Sequence, residues 1–464
     1  MAKGDRDLTT GSVRRAVVVV SLPMVFGILG VISVGLADAY FLGRVGQAEL
    51  AAVGFFFPVA TAVTSLSIGL SAGVNAALSQ TIGRGEEDSH TNRVAFHALG
   101  LGLAIATLVG LTLWAVDGWI FRLMGATDAT LPEIADYMFY WCLSFPLLVT
   151  SMLLGSMFRA HGNAITASII MAAQSVFNIA LDPVLIFGLG PFAEMGTGGA
   201  GLATLLARLL AVIGGLIWAF RQGYITICTK PMKGLWSSAK QIFEVGLPAA
   251  FSNAINPMGM AAVTAAVATL GEAAVAGYGA ATRIQTLALV PMLALSSGIG
   301  PVIGQNWGAD EKSRVRGAMR FTFLICLGYG AVLGATLLIF GETFAGFIAS
   351  GPEDTAFATT YLRIVGFSLF GYGVLVTANA AMNARSKATF SMGLSLGRIF
   401  LLYIPLAWAL VALMGFTGIA IAAATANVVA ACAALILTRA TGILGLDVAV
   451  VRVPGDRLAK ATDT

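Results

Sequence analysis

The chain has 464 residues, of which 58% are hydrophobic and 11% charged, against roughly 25% charged in ordinary soluble domains. A mean hydropathy of +0.87 and a formal net charge of only +4 exclude a disordered chain, a nucleic-acid binder and a water-soluble enzyme. The composition is that of an integral membrane protein, and its 55 glycines suit helices that approach closely where no hydrophobic effect draws them together.

A helix needs about 20 apolar residues to cross the ~30 Å hydrocarbon core. The basic N-terminus leads into the apolar run Ala16–Ala37 without a small-residue cleavage site, which predicts a retained first span. Leu50–Ile82, Val94–Val116, Tyr137–Phe158, Ala164–Leu189 and Gly198–Phe220 follow as spans two to six. Val245–Thr269, Ala276–Asn306, Phe321–Phe340 and Val365–Met382 continue the series, and Ala388–Thr438 is long enough for two spans divided at the Gly415-Phe416-Thr417-Gly418 turn signal. The expected fold class is therefore all-α, with twelve transmembrane helices.

Twelve spans put both termini on one side, and the basic residues test the arrangement. With the termini in the cytoplasm, 21 Lys and Arg fall on inside segments, among them Lys3, Arg6, Arg14, Arg15, Arg84, Arg93, Arg159, Lys230, Lys233, Arg314, Arg385, Arg452, Arg457 and Lys460. Only Arg44, Arg122 and Arg363 fall outside, a bias that supports the count and predicts a multi-pass protein of the inner (plasma) membrane with cytoplasmic termini.

The two halves resemble each other. Leu22-Pro23 recurs as Leu247-Pro248, and Gly46–Gly54 recurs as Gly271–Gly279, both at an offset of 225. Gln80, Gly83 and Glu86 fall on Gln305, Gly308 and Glu311 in the same register, and Ala160 and Ala164 fall on Ala384 and Ala388 one residue out of it. Because the offset contains six spans, the copies share one orientation, as in a carrier whose halves are related by an axis along the membrane normal. This predicts a six-helix lobe over residues 1–220, a basic cytoplasmic linker over 221–240, a second lobe over 241–440 and a cytoplasmic tail over 441–464.

Leu22-Pro23, Gly35-Leu36-Ala37-Asp38, the Gly46–Gly54 loop, Gln80-Thr81-Ile82-Gly83, Arg159-Ala160-His161-Gly162-Asn163, Asn178–Pro183 and Gly199–Thr204 resemble the multidrug and toxic compound extrusion (MATE) family. The resemblance runs through all twelve spans in order. It implies two lobes forming a V, which export organic, often cationic and amphipathic, drug-like compounds in exchange for H⁺ or Na⁺ by alternating access. A monomer in the lipid bilayer is expected, with no cofactor beyond the coupling ion and no nucleic-acid partner.

Ionisable residues inside spans are costly and mark function. Only Asp38 and Asp182 qualify as carboxylates, both in the first half. Asp38 lies fifteen residues beyond Pro23, whose missing N–H can make a hinge. Asp182 directly precedes Pro183, which leaves the Ile179 carbonyl without its helix partner, and Asn178 lies one turn earlier on the same face. Such oxygens can hold a proton or a Na⁺, and interhelical hydrogen bonding is the plainer alternative. In the DNA-damage-inducible (DinF-like) branch of the family, equivalent positions form the ion-coupling site, which the resemblance carries onto Asp38, Asp182, Asn178 and Thr204. The absence of acidic residues from Ala249–Thr269 and Val365–Met382 favours that branch, while Val34 stands where some relatives have Tyr.

Arg283 can snorkel to the outer face, whereas Arg208 and Arg398 lie deeper, as structural residues or as partners of an aspartate or an anionic substrate. Phe55-Phe56-Phe57 suits a greasy cavity or lipid packing, and Gly196–Gly201 is a helix-packing cluster despite its G-x-G-x-x-G spacing. The scattered Cys142, Cys228, Cys326 and Cys432 read as packing residues, and no P-loop Gly-Lys-Ser/Thr is present to couple ATP. A lipid-linked oligosaccharide flippase of the same superfamily is the alternative reading. A membrane enzyme lacks a catalytic constellation.

Overall fold

The computed structural model describes residues 7–226, 231–349 and 351–445. Lys3, Arg6, Cys228, Lys230, Arg452, Arg457, Lys460 and the tail beyond residue 445 lie outside the described residues, as do the side chains at positions 47, 48, 50 and 53. Every described regular element is helical. The first half comprises α1 (Val13–Val45), α2 (Gln47–Gly83), α3 (Asp88–Leu123), α4 (Leu131–Ala160), α5 (Ala164–Ile186) and α6 (Gly196–Arg221). The second comprises α7 (Leu235–Ala268), α8 (Glu272–Ala288), α9 (Val290–Gly308), α10 (Lys312–Ile348), α11 (Pro352–Val365), α12 (Leu369–Ala384), α13 (Ala388–Leu396), α14 (Ile404–Met414) and α15 (Phe416–Ala440).

Ten of these helices or helix runs are long and apolar enough to cross a membrane, and the pair α8–α9 adds an eleventh, bent by 45°. Pro291 at the start of α9 explains the bend, because it offers no N–H to the preceding turn. The helix α7 has 34 residues but is not among the apolar ten. Ser252, Asn253 and Asn256 with Pro248 and Pro257 dilute its hydrophobic run. It begins at Leu235, inside the stretch read from the sequence as linker. The division of the last apolar run is seen where the turn signal lies: α14 ends at Met414, and Gly415 takes a left-handed φ of +59° before α15. Between α13 and α14, residues Gly397–Tyr403 form a π-helical turn just before Pro405.

Of these ten, α4 and its counterpart in the second half, α11–α12, are the most buried. The halves meet through glycine-lined faces. A Cβ on Gly69 or Gly73 of α2 would strike the Gly246 or Ile242 carbonyl of α7, and one on Gly298 of α9 would strike Ser21 of α1. The same closeness recurs with the halves exchanged, Gly83 lying against the Gln305 carbonyl and Gly308 against the Gln80 carbonyl. All these approaches sit in the helix halves nearest the α2–α3 and α9–α10 turns, so the two halves of the chain are packed shut at that end.

Candidate functional site

The spacing of α1 and α5 is set by small residues. A Cβ on Gly30 would come within 3.0 Å of Ser175 Oγ, and one on Gly27 within 3.3 Å of Met171. Ser168 of α5 donates to the carbonyl of Pro23, within an α1 that runs helically through the proline. This close packing makes the Asp38 and Asp182 carboxyl groups near neighbours that feel each other's charge. Both are buried. Asp38 Oδ1, both Asp182 oxygens and Asn178 Oδ1 have no donor. Ionised carboxylates only accept, so the pair needs a shared proton or a cation to satisfy it.

Asn178 donates through Nδ2 to Thr204 Oγ1 at 3.4 Å. The four residues expected from the sequence therefore form one group, drawn from α1, α5 and α6. Two further residues complete it. Tyr137 of α4 is buried in the field of Asp38 and Asp182, near Thr204. Arg208, one turn beyond Thr204 on α6, is buried in the field of Asp38. Its Nη1 donates to Ser144 Oγ at 2.5 Å, and the guanidinium lies 5.7 Å from the centre of the Trp141 ring. The sequence did contain a signal for them: Tyr137, Trp141 and Ser144 lie at i, i+4 and i+7 on α4, facing Thr204 and Arg208 at i and i+4 on α6.

At the positions 225 residues beyond Asp38 and Asp182 stand Val263 and Ala407, both buried and apolar. The second half instead holds Arg398, which donates to Asn256 at 3.2 Å and Asn427 at 3.0 Å. Its guanidinium lies 5.2 Å from the Tyr372 ring centre. Arg283 is exposed. Phe56 packs on Tyr137 and Trp141 at 4.5 and 5.2 Å between ring centres, while Phe57 is exposed. Gly199 packs against the Leu185 backbone, as expected of a packing cluster. Cys142 and Cys326 are buried and Cys432 exposed. G-x-S-x-G spacings at Gly69–Gly73 and Gly393–Gly397 fall within or at the end of helices rather than on strand-to-helix elbows.

A second feature was not legible in the sequence. A cavity of about 230 Å³ lies between the two halves of the chain, bounded by α2, α4, α7, α9, α12 and α13. Arg159, read above as an inside-loop cation, lines it. The cavity lies at the end where the lobes are shut. There Gln80 donates to the Ala384 carbonyl at 2.6 Å and Ser386 Oγ at 3.0 Å, and Gln305 donates to the Ala160 carbonyl at 2.7 Å.

The MatE family model matches the chain twice, over residues 23–184 and 248–409, the same offset at which the internal resemblance was read. The FAD transporter of Shewanella oneidensis is 31% identical over 408 residues, covering 87% of this chain and 90% of that protein. Multidrug export protein MepA of Staphylococcus haemolyticus is 26% identical, covering 88% and 89% respectively. An outward-facing structure of a multidrug resistance MATE family transporter superposes with a TM-score of 0.90 at 25% identity, covering 95% of this chain and 98% of that one. A paired family match, relatives aligned over nearly their whole length and a shared multi-span helical fold lead to one conclusion: the chain belongs to the MatE family, as a secondary active transporter of organic compounds.

Proposed function

We propose that the protein is a DinF-like exporter of organic compounds, driven by H⁺ or Na⁺ bound at Asp38 and Asp182. The observation that carries this reading is the group of four buried oxygens without donors on Asp38, Asp182 and Asn178, which includes both intramembrane carboxylates. Asn178 and Thr204 complete the ion site, with Tyr137 and Arg208 beside it. A cation or proton neutralises the carboxylate pair in one conformation better than in the other, which is the condition for an ion gradient to do work. Pro23 supplies the hinge through which α1 responds.

In this reading α7 is the twelfth span. Lobes of six spans cover 1–220 and 241–440, joined by the linker 221–240, with the tail 441–464 and the N-terminus in the cytoplasm. The closed end then faces the cytoplasm and the chain stands outward-facing, as a monomer in the inner membrane. The basic-residue bias supports that orientation. The Shewanella relative's name is a reason to place a flavin nucleotide beside cationic dyes among the compounds tested.

Purified protein in liposomes, given separate pH and Na⁺ gradients, tests the reading. Asp38→Asn and Asp182→Asn are each expected to abolish gradient-driven transport while the protein remains folded in the membrane. The double variant is expected to be little worse than either single one, as for residues acting as a unit. Near-normal transport in both single variants would make the aspartates interhelical glue.

A further inference from the structure

The inter-lobe cavity is polar and carries one sign of charge. Its lining residues include Arg159 and no carboxylate. Of the five N–H donors a guanidinium offers, Arg159 spends one on Ser156 Oγ at 2.8 Å, and its Nε has no partner. A second guanidinium stands directly behind the wall, because Asn256 and Tyr372 line the cavity and both touch Arg398. On the same lining, Asn379 Oδ1 and Asn383 Oδ1 are buried acceptors without donors. Such a site repels an organic cation, for which it has no counter-charge, and leaves charge-assisted donors unused.

We propose that this cavity is the subsite for the anionic end of the exported compound, a phosphate-type oxyanion whose neighbouring hydroxyl or amide groups donate to Asn379 and Asn383. Arg159 grips the oxyanion, and Arg398 adds to the field through the wall. The volume of about 230 Å³ lies just below the ~300–1,000 Å³ of sites that enclose whole drug-sized ligands. It matches the charged end of a molecule whose remainder extends beyond the cavity. The inference deepens the export reading by naming the substrate class, and it rests on that reading. It departs from the cationic amphipaths expected from the family resemblance.

The test is equilibrium binding to the full-length protein in nanodiscs, with no gradient imposed. Loss of ion coupling, as in Asp38→Asn, therefore leaves it readable, and a failure of either proposal can be told from a failure of the other. Flavin mononucleotide and riboflavin serve as probes because they differ by one phosphate, and ethidium serves as the cation. The mononucleotide is expected to bind about ten- to a hundredfold more tightly than riboflavin, the worth of a charge-assisted hydrogen bond, with the preference shrinking as salt rises. Arg159→Gln is expected to bring the two flavins level, and Arg159→Lys to keep part of the difference. Asn383→Asp, which puts a carboxylate in the cavity, is expected to lose the mononucleotide and gain ethidium. It decides the matter alone if Arg159→Gln does not fold. Equal binding of the two flavins by the unmodified protein, tighter binding of ethidium, or no mononucleotide binding at millimolar concentration would each overturn the proposal. So would a preference unchanged in the folded variants.

Discussion

Removing Gln80 and Gln305 together should loosen the end at which the lobes are shut. The two glutamines are related by the internal repeat, and each reaches across to the other half. Gln80 holds Ala384 and Ser386; Gln305 holds Ala160 and accepts from the Leu8 N–H at 3.0 Å. Four hydrogen bonds at about 0.5–1.5 kcal/mol net each give an upper range of about 2–6 kcal/mol for the pair. In the open state water replaces part of what is lost, so roughly 1–3 kcal/mol, or about a 5- to 150-fold shift in the closed-to-open ratio, is the expected effect of the double alanine variant. Each single variant should give about half of it in free energy.

Spin labels at Ser89→Cys and Ser313→Cys, both exposed at that end, report the separation in a background where the four native cysteines are replaced. The parent protein should show one short distance. Gln80→Ala with Gln305→Ala should add a second, longer one, and should raise labelling of a cysteine placed at Ser297 in the cavity. A distance distribution identical to the parent's, with unchanged labelling, would mean that the glycine faces alone hold the lobes and that the latch contributes nothing.

Gly83→Ala should hinder closure at the same end, because its Cβ meets the Gln305 carbonyl, whereas Gly35→Ala, with nothing within 4 Å, should leave the distances unchanged. An equal effect of both on the label distances would point to helix propensity rather than steric contact. Arg208→Gln should lower gradient-driven transport about tenfold, roughly 1.4 kcal/mol. Ser144→Ala should lower it less, since it removes one hydrogen bond and keeps the charge. Transport by Arg208→Gln at the parent rate would remove Arg208 from the site. Arg314→Ala should speed hydrogen exchange at Leu8–Gly11. Its guanidinium bonds the Leu8, Thr10 and Gly11 carbonyls at 3.1, 3.0 and 2.7 Å. Exchange as slow as in the parent would show that Gln305 and Asn306 hold the segment unaided.

Much of the architecture is written along the chain. Most of the apolar runs report a membrane span of their own, because hydrocarbon admits helices only when about 20 consecutive residues tolerate it. A lone carboxylate in such a run stands out for the same reason, so Asp38 and Asp182 were legible without a structure. The repeat was legible because equivalent residues recur at a nearly constant offset, the offset at which the family model also matches twice. Breaks within spans, at Pro291 and in the π turn over Gly397–Tyr403, carry proline signals nearby but lie inside continuous apolar runs. They were folded into single runs.

What the chain alone could not fix is which way each span is rotated and where the lobes touch. Hydropathy in a membrane is nearly blind to rotation, since a helix turns 100° per residue while lipid and protein interior are both apolar. Tyr137 and Arg208 therefore joined the aspartates only once α4 and α6 were set against α1 and α5. Arg159 sits in sequence at a helix end and looked like one more inside-loop cation, yet the mating of the lobes turns it into the cavity. The reciprocal bonds of Gln80 and Gln305 join residues about 145 to 306 positions apart. The sequence determined the spans, the duplication and the carboxylates, because each is a property of a short stretch or of a fixed offset. Only the tertiary structure decided their partners, because those depend on relative rotation and lobe contact, which no local pattern encodes.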